Sequence, residues 1–168
     1  MKIICGNEKI EAEEVVREYT TMIYRVAMVR MQNQADAEEI VQDTFLRLFK
    51  QVKKGYEFES RDHLKAWLLK VAVNRGVSVL TSAWNKKTEG LDAAHEIPAG
   101  ENEESYAYDY VMKLPEKYRI AIKLFYYEQL STEQIVEIMN TKPSTVRSYL
   151  LRGREKLKSM MEADGYVG

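Results

Sequence analysis

Apolar residues recur at helical spacing along most of this chain, and the breaks in that spacing divide it into elements. Val15, Tyr19, Met22, Val26 and Val29 step by four and three, which predicts a first amphipathic helix. Asp36 is placed to cap a second, with Glu39 in the capping-box position and Val41, Phe45, Leu48 and Val52 as its stripe; Gly55 ends it. Ser60 or Asp62 opens a third helix, striped by Leu64, Leu68 and Val71 and widened by Trp67. At Val73 the register shifts to Val73, Val77, Leu80 and Trp84, predicting a bend or a fourth helix from near Asn74, with Gly76 as a weak point. A further helix opens at Leu114-Pro115, with Ile120, Leu124 and Tyr127 inward. Tyr118, Phe125 and Tyr126 are read as packing residues rather than a base-stacking platform. No segment alternates apolar and polar residues as a half-buried strand would, so the expected fold class is all-α.

Residues 130–158 carry the most specific pattern. Ser131 can cap a short helix, with Gln134 completing a capping box, while Leu130, Ile135, Ile138 and Met139 supply its inner face. Asn140 suits a left-handed turn, and Pro143 suits the first turn of the next helix, where its missing N–H costs nothing. In that helix Val146, Leu150, Gly153, Leu157 and Met160 should face inward. Arg147, Leu151, Arg154 and Lys158 form an outer line, with Ser148 and Arg152 beside it. This is the layout of a helix-turn-helix. Arg pairs bidentately with guanine, and small hydroxyl side chains reach bases or phosphates, so the outer face has the chemistry of a major-groove reader. The plain alternative is a helical hairpin with a solvated charged face.

Segment 88–106 has no basic and six acidic side chains, is rich in Gly, Pro and Ala, and lacks apolar periodicity. It reads as a flexible, self-repelling linker. The chain therefore divides into two small helical domains, 1–87 and 107–168, joined by the acidic linker 88–106, the second domain containing the helix-turn-helix. The net charge of −1 argues against nucleic-acid binding only until it is mapped: residues 1–87 hold 15 basic and 12 acidic groups, and 141–158 hold six against one. Location outweighs the total.

Other chemistry is not indicated. His63 and His95 are the only histidines and lie far apart, so no metal site is expected, and no cofactor is. There is no phosphate-binding glycine loop and no nucleophile elbow. Glu38, Glu39 and Asp43 fall on a predicted outer helix face rather than in a cleft, so the chain is not read as an enzyme. Cys5 stands alone, which excludes an internal disulfide and fits a reducing, cytoplasmic setting. No apolar run approaches the ~18 residues of a membrane span, and no signal peptide is read at the N-terminus.

Three stretches in this order resemble the sigma factors of bacterial RNA polymerase, and within them the small extracytoplasmic-function (ECF) class with regions 2 and 4. DAEEIVQDTFLRLFK (36–50) is similar to region 2.2, HLKAWLLKVAVNRGVSVLTSAWNKK (63–87) to regions 2.3 and 2.4, and LPEKYRIAIKLFYYEQLSTEQIVEIMNTKPSTVRSYLLRGREKLK (114–158) to region 4. The resemblance implies a subunit that brings core polymerase to a promoter subset and assists melting. It assigns Glu39, Gln42 and Asp43 to the beta-prime coiled coil of the polymerase. Asn74 falls beside the family's −10 base pocket, with Arg75, Lys86 and Lys87 for backbone contacts and Trp67 in the core.

In region 4 the resemblance nominates Thr145, Arg147, Ser148, Leu151 and Arg152 for the −35 element. Lys142, Arg154, Lys156 and Lys158 are assigned to phosphates or polymerase. Many relatives carry a capping Ser where this chain has Lys142, which leaves Thr141 as the candidate cap. The chain departs from the family at Ser78 and at Leu80-Thr81-Ser82, where an Asp and then Leu-Arg and further basic residues are common. Fewer cations there imply fewer phosphate contacts. The class also implies an anti-sigma factor as a partner and a free chain that is monomeric and not inserted in a membrane. Two rivals stand beside this reading: a free-standing helix-turn-helix regulator with an N-terminal dimerisation domain, and a degenerate sigma-like protein that binds a partner only.

Overall fold

The structure is a computed structural model that describes residues 1–85 and 104–166, with the side chains of 76–85 and 104–106 left aside. The chain separates into two compact units, Met1–Asp92 and Ala93–Gly168. Most of the segment read as the linker, along with Lys86 and Lys87, lies outside the described residues.

The first unit opens on a feature the all-α expectation missed. Strands β1 (Lys2–Cys5) and β2 (Glu8–Glu11) pair antiparallel, with Ile3 opposite Ile10 and Cys5 opposite Glu8. Four-residue strands are too short for alternation to stand out, but the Gly6-Asn7 turn between them is a hairpin signal. Gly6 is required twice over. Its φ is +64°, and a Cβ there would lie 2.8 Å from the Glu59 carbonyl oxygen. That close approach lets Gly6 N–H donate to Phe58 O (2.8 Å) while Phe58 N–H donates to Ile4 O (2.9 Å), binding the hairpin to the loop before the third helix. Ile3, Cys5 and Ile10 are thereby buried.

Helix α1 (Ala12–Met31) follows the hairpin directly. It buries Val15, Tyr19, Val26 and Val29 as the spacing predicts, but Ile23 rather than Met22 is the fully enclosed residue on the next turn. Helix α2 (Gln34–Lys53) starts a turn earlier than expected, because Asn33 takes the cap: its Oδ1 accepts the Asp36 N–H at 3.0 Å, which leaves Asp36 inside the first turn, where its charge suits the helix dipole. Phe45 and Leu48 are buried with Ala37, Ile40 and Thr44, whereas Val41 and Val52 are only half-buried. Gly55, at φ +91°, ends the turn that follows.

Ser60 caps α3 (Arg61–Asn85), its Oγ accepting from His63 N–H at 3.1 Å. The helix runs unbroken through Asn74 and Gly76, so no fourth helix begins there; one glycine costs only ~1 kcal/mol against Ala, too little to break a long helix. The register shift reflects a stripe that widens, with Leu68, Leu69, Ala72 and Val73 all buried and Val71 half-buried. Phe58 joins the elements, its ring edge-on to Trp67 at 5.8 Å, which places Trp67 against the core.

The second unit begins with α4 (Glu104–Met112), which the sequence reading did not register as a helix. A nine-residue helix is marginal by itself and depends on what it packs against. Tyr110 and Val111 are buried, and the Tyr110 hydroxyl donates to Asp164 Oδ2 at 2.6 Å, 54 residues away. Helix α5 (Glu116–Ile122) follows Pro115 and passes into a π-turn at Lys123–Tyr127, closed by Glu128 N–H donating to Lys123 O. Helices α6 (Thr132–Met139) and α7 (Pro143–Ala163) complete the unit. Ile120, Leu124, Leu130, Ile135, Ile138, Val146 and Leu150 form its interior, while Tyr127 is half-buried.

Helices α5 and α7 pack tightly at Gly153. A Cβ there would stand 2.9 Å from Ile122 Cγ1 and 3.5 Å from Tyr118 Cβ. Overpacking at such a contact costs ~1–3 kcal/mol. Gly153→Val should therefore lower the stability of the C-terminal unit by about that amount in chemical denaturation, and an unchanged midpoint would refute the close contact.

The carboxylate of Asp164, through its hydrogen bond first and burial second, pushes the Tyr110 phenol up to about 12 from an ordinary 10. A raised pKa in the fold means this contribution is complete below pH 10 and is lost as pH rises through about 12. Tyr110→Phe should remove that part of the alkaline loss, seen as a shallower fall in melting temperature between pH 10 and 12.

Candidate nucleic-acid and polymerase interfaces

The helix-turn-helix forms as its residues dictate. Ser131 Oγ accepts from Gln134 N–H (3.1 Å) and Gln134 Oε1 accepts from Ser131 N–H (2.9 Å), a complete capping box. Asn140 takes the left-handed conformation at φ 51°, and Thr141 N–H donates to Val136 O at 3.1 Å, closing the turn. Lys142 occupies the cap position of α7 and Pro143 its first turn, with no side-chain capping bond, so Thr141 does not cap this helix. Backbone geometry alone starts it: Thr145 and Val146 N–H groups both reach Lys142 O, at 3.0 and 3.1 Å.

Val146, Leu150 and Gly153 are buried on α7, while Leu157 and Met160 are half-buried. At 100° per residue this strip divides the remaining positions into two flanks. Arg147, Leu151, Arg154 and Lys158 line one flank, all exposed, with Leu151 52% exposed despite its apolar side chain. Thr145, Arg152 and Lys156 lie on the other, and Ser148, half-buried, stands between them. Arg152 therefore does not sit beside the Arg147 line.

On that flank the Arg152 guanidinium acts on Tyr118 of α5 and pulls its phenol below the ordinary value; burial opposes the shift, and Lys117 and Lys156 add to it. The Lys117 ammonium also lies 5.4 Å from the Tyr118 ring centre and 5.8 Å from that of Tyr149. Arg152 and Lys156 border a groove of about 630 Å³ with Lys113, Leu114, Pro115 and Met160.

On the Arg147 flank, Arg154 Nη1 donates to the Tyr126 hydroxyl at 3.0 Å, and Lys158 lies 4.0 Å from Glu162. Tyr126 was expected in the core and is 48% exposed. Tyr126 lies within the π-turn and faces outward, whereas Tyr118 is buried and Phe125 half-buried, as packing residues should be.

In the first unit, Glu39 and Gln42 are exposed on α2. Leu46, one turn on and 57% exposed, extends the same face; its position off the apolar stripe is the sequence signal that could have found it. Asp43 is different. Its Oδ2 lies 2.9 Å from Arg47 Nε and 2.7 Å from Arg75 Nε, so one carboxylate is shared by two guanidinium groups. The Arg75 Nε–H is not directed at the carboxylate, which makes this contact Coulombic rather than a directed hydrogen bond. Two residues assigned by resemblance to different partners, Asp43 and Arg75, are thus joined across α2 and α3. Asn74 is exposed and its Nδ2 donates to Lys70 O at 2.7 Å, which fixes the amide plane. Among the described residues no group of three His, Cys, Asp or Glu side chains is placed to hold a metal ion, and no helix is long and apolar enough to cross a membrane.

Comparison with known proteins agrees with this anatomy. The family model for Sigma-70 region 2 matches residues 15–86, and that for Sigma-70, region 4 matches 106–157, so together they cover more than two thirds of the chain. The chain belongs to the sigma-70 family. Several of its curated relatives are ECF sigma factors. It is 27% identical over 158 residues to the ECF sigma factor SigM of Bacillus subtilis, covering 88% of this chain and 93% of SigM. It is 28% identical over 166 residues to SigW of the same organism, covering 88% and 87%. Against the ECF sigma factor SigE of Mycolicibacterium smegmatis it is 29% identical over 160 residues, covering 89% of this chain and 61% of that longer protein.

Two solved structures share the fold of this sigma-70-family chain. One is the sigma factor RpoE of Bartonella quintana crystallised with the anti-sigma factor NepR, at a TM-score of 0.70 and 20% identity, covering 90% of this chain and 97% of that one. The other is CnrH in complex with the cytosolic domain of CnrY, at 0.64 and 17%, covering 92% and 89%. The region 2 match starts at residue 15, so the β1–β2 hairpin lies ahead of it.

The shared Asp43 carboxylate is testable apart from any partner. Its side chain is a quarter exposed, and such pairs contribute up to ~1 kcal/mol. Asp43→Asn should lower the unfolding free energy of the N-terminal unit by that order at low salt and by less at 1 M salt. Equal stability of the two proteins at low salt would show that the pairs contribute nothing.

Proposed function

We propose that this sigma factor binds core RNA polymerase through the outer face of α2 and divides promoter reading between its two units. The observation that carries the reading is a groove-sized helix, α7, opened by Pro143 and packed against its neighbours, with Arg147, Ser148 and Leu151 at its outer N-terminal half. Arg supplies bidentate contacts to guanine, a hydroxyl reaches a base edge or phosphate, and an exposed leucine suits a thymine methyl group. Thr145 and Arg152 border this face and complete the −35 contact set. Lys142, Arg154, Lys156 and Lys158 provide cations for the backbone.

In the N-terminal unit, Asn74 and Arg75 on α3, with Lys86 and Lys87 beyond, serve the −10 element. Arg75 reaches DNA from a position already held by Asp43. Glu39, Gln42 and Leu46 present a mixed acidic and apolar face to the beta-prime coiled coil, and Asp43 acts there mainly by ordering Arg47 and Arg75. Each unit binds modestly alone; holding both at fixed spacing on polymerase multiplies their affinities. The work is recognition and strand opening, a binding function in the cytoplasm with no catalytic group or cofactor.

An anti-sigma factor is proposed as the regulator, on the ground that the two structural neighbours were each solved with such a partner or with a partner's cytosolic domain. The same helix-turn-helix would serve a free-standing repressor, but the matched region 2 unit supports the polymerase-dependent reading.

The test is transcription in vitro from a randomised promoter library with core polymerase. Specific initiation that requires both this chain and polymerase is expected; specific binding to a palindromic site without polymerase would replace this reading with the repressor. Within that assay, Arg147→Ala should cost ~1–3 kcal/mol at one −35 position and relax preference there. A uniform loss over all sequences would reassign Arg147 to a phosphate.

A further inference from the structure

We propose that Tyr126 and Arg154 form a composite site for a single DNA phosphate at the edge of the α7 reading face; this rests on the reading of α7 as the −35 helix. Arg154 Nη1 donates to the Tyr126 oxygen at 3.0 Å, so the phenol O–H is turned outward as a donor. Accepting from a cation strengthens that donor. The remaining N–H groups of the guanidinium lie beside it, and both side chains are solvent-exposed. Two donors and one positive charge then converge on one point, which is what a phosphodiester oxygen pair accepts and a neutral base edge does not need.

The site is held from both sides. The Phe125 ring packs edge-on against Tyr126 with centres 4.9 Å apart, which fixes the phenol. Tyr126 stands outward in the π-turn at Lys123–Tyr127, and that turn is anchored by Lys123, which is buried and lies 3.7 Å from Glu128 Oε1 and 4.8 Å from the Tyr127 ring centre. Arg154 lies on the same flank of α7 as Arg147, two turns along, so a duplex contacted by Arg147 runs past it. Tyr126 is thus a DNA-contacting residue contributed from outside the helix-turn-helix, and it orients Arg154 rather than reading sequence.

The experiment uses the full chain assembled with core polymerase and promoter duplexes in which single phosphates around the −35 element are replaced by neutral methylphosphonate. With wild-type chain, one substituted phosphate should weaken binding. Tyr126→Phe, which keeps the ring, should weaken binding to unmodified promoter about three- to tenfold, equally across −35 sequences, and should be insensitive to that one methylphosphonate. Arg154→Gln should behave alike and lower the salt slope by about one. Loss in the double variant should be smaller than the product of the single losses, because the two residues act together.

Unchanged binding by Tyr126→Phe overturns the proposal, as does a loss confined to one base pair or continued sensitivity at every phosphate. A purely structural brace would lower the melting temperature without removing sensitivity at one phosphate, and that result also overturns it. Arg147→Ala separates this site from the reading beneath it. Altered −35 preference there with a silent Tyr126→Phe removes only the composite site, whereas a silent Arg147→Ala removes the −35 reading itself.

Discussion

The contact between α5 and α7 at Gly153 is the constraint on which the C-terminal unit depends. With no side chain at Gly153, Ile122 and Tyr118 reach the backbone of α7, and Val146 and Leu150 complete the buried strip. A helix seated by one narrow strip has its rotation set, and rotation decides which residues face outward. Arg147 and Leu151 are presented on one flank because Gly153 is pressed inward on the other side. The same seating brings the Arg152 guanidinium near Tyr118 and lets Arg154 hydrogen-bond Tyr126, so α7 has a polar contact to its neighbours on each flank. A helix held in this way has little ordering left to do when a partner meets its outer face, which favours affinity.

The N-terminal unit is ordered by different means. Its hairpin packs Ile3, Cys5 and Ile10 into the core of α1, α2 and α3, and Arg61 ties its outer edge to the bundle, reaching Glu8 at 2.7 Å and Glu18 at 2.8 Å. Burial pushes the Cys5 thiol up, partly offset by Arg61, so the thiolate that reactivity would require is disfavoured. The chain's one cysteine acts here as a small core residue. Across the bundle, Asp43 holds Arg47 and Arg75 together, which couples the outer face of α2 to α3 through one carboxylate.

Much of this was legible from residue order. The capping box at Ser131 and Gln134, the left-handed Asn140, Pro143 in the first turn of α7 and the inward line through Val146 and Leu150 are local matters, each decided by residues a few positions apart. The same holds for Gly55 and for the Ser60 cap of α3. Where two neighbouring residues had similar chemistry, locality was not enough: Asn33 and Asp36 can both cap, and the helix chose the one that leaves an acidic group in its first turn. The short hairpin and α4 were not legible as elements, since neither is stable without its tertiary partners, Phe58 for the hairpin and Asp164 for α4.

By itself, then, the sequence determined the helical periodicities, the helix-turn-helix with its caps, the concentration of cations on α7 and the membership these motifs announce, because all of these depend on spacing along the chain. Only the tertiary structure decided which outward residues stand together. It parted Arg152 from Arg147, joined Asp43 to Arg75, turned Tyr126 out of the core to meet Arg154, and exposed Leu46 beside Glu39 and Gln42. Those outcomes depend on helix rotation and on contacts between side chains 28 or more positions apart, and no local spacing encodes them.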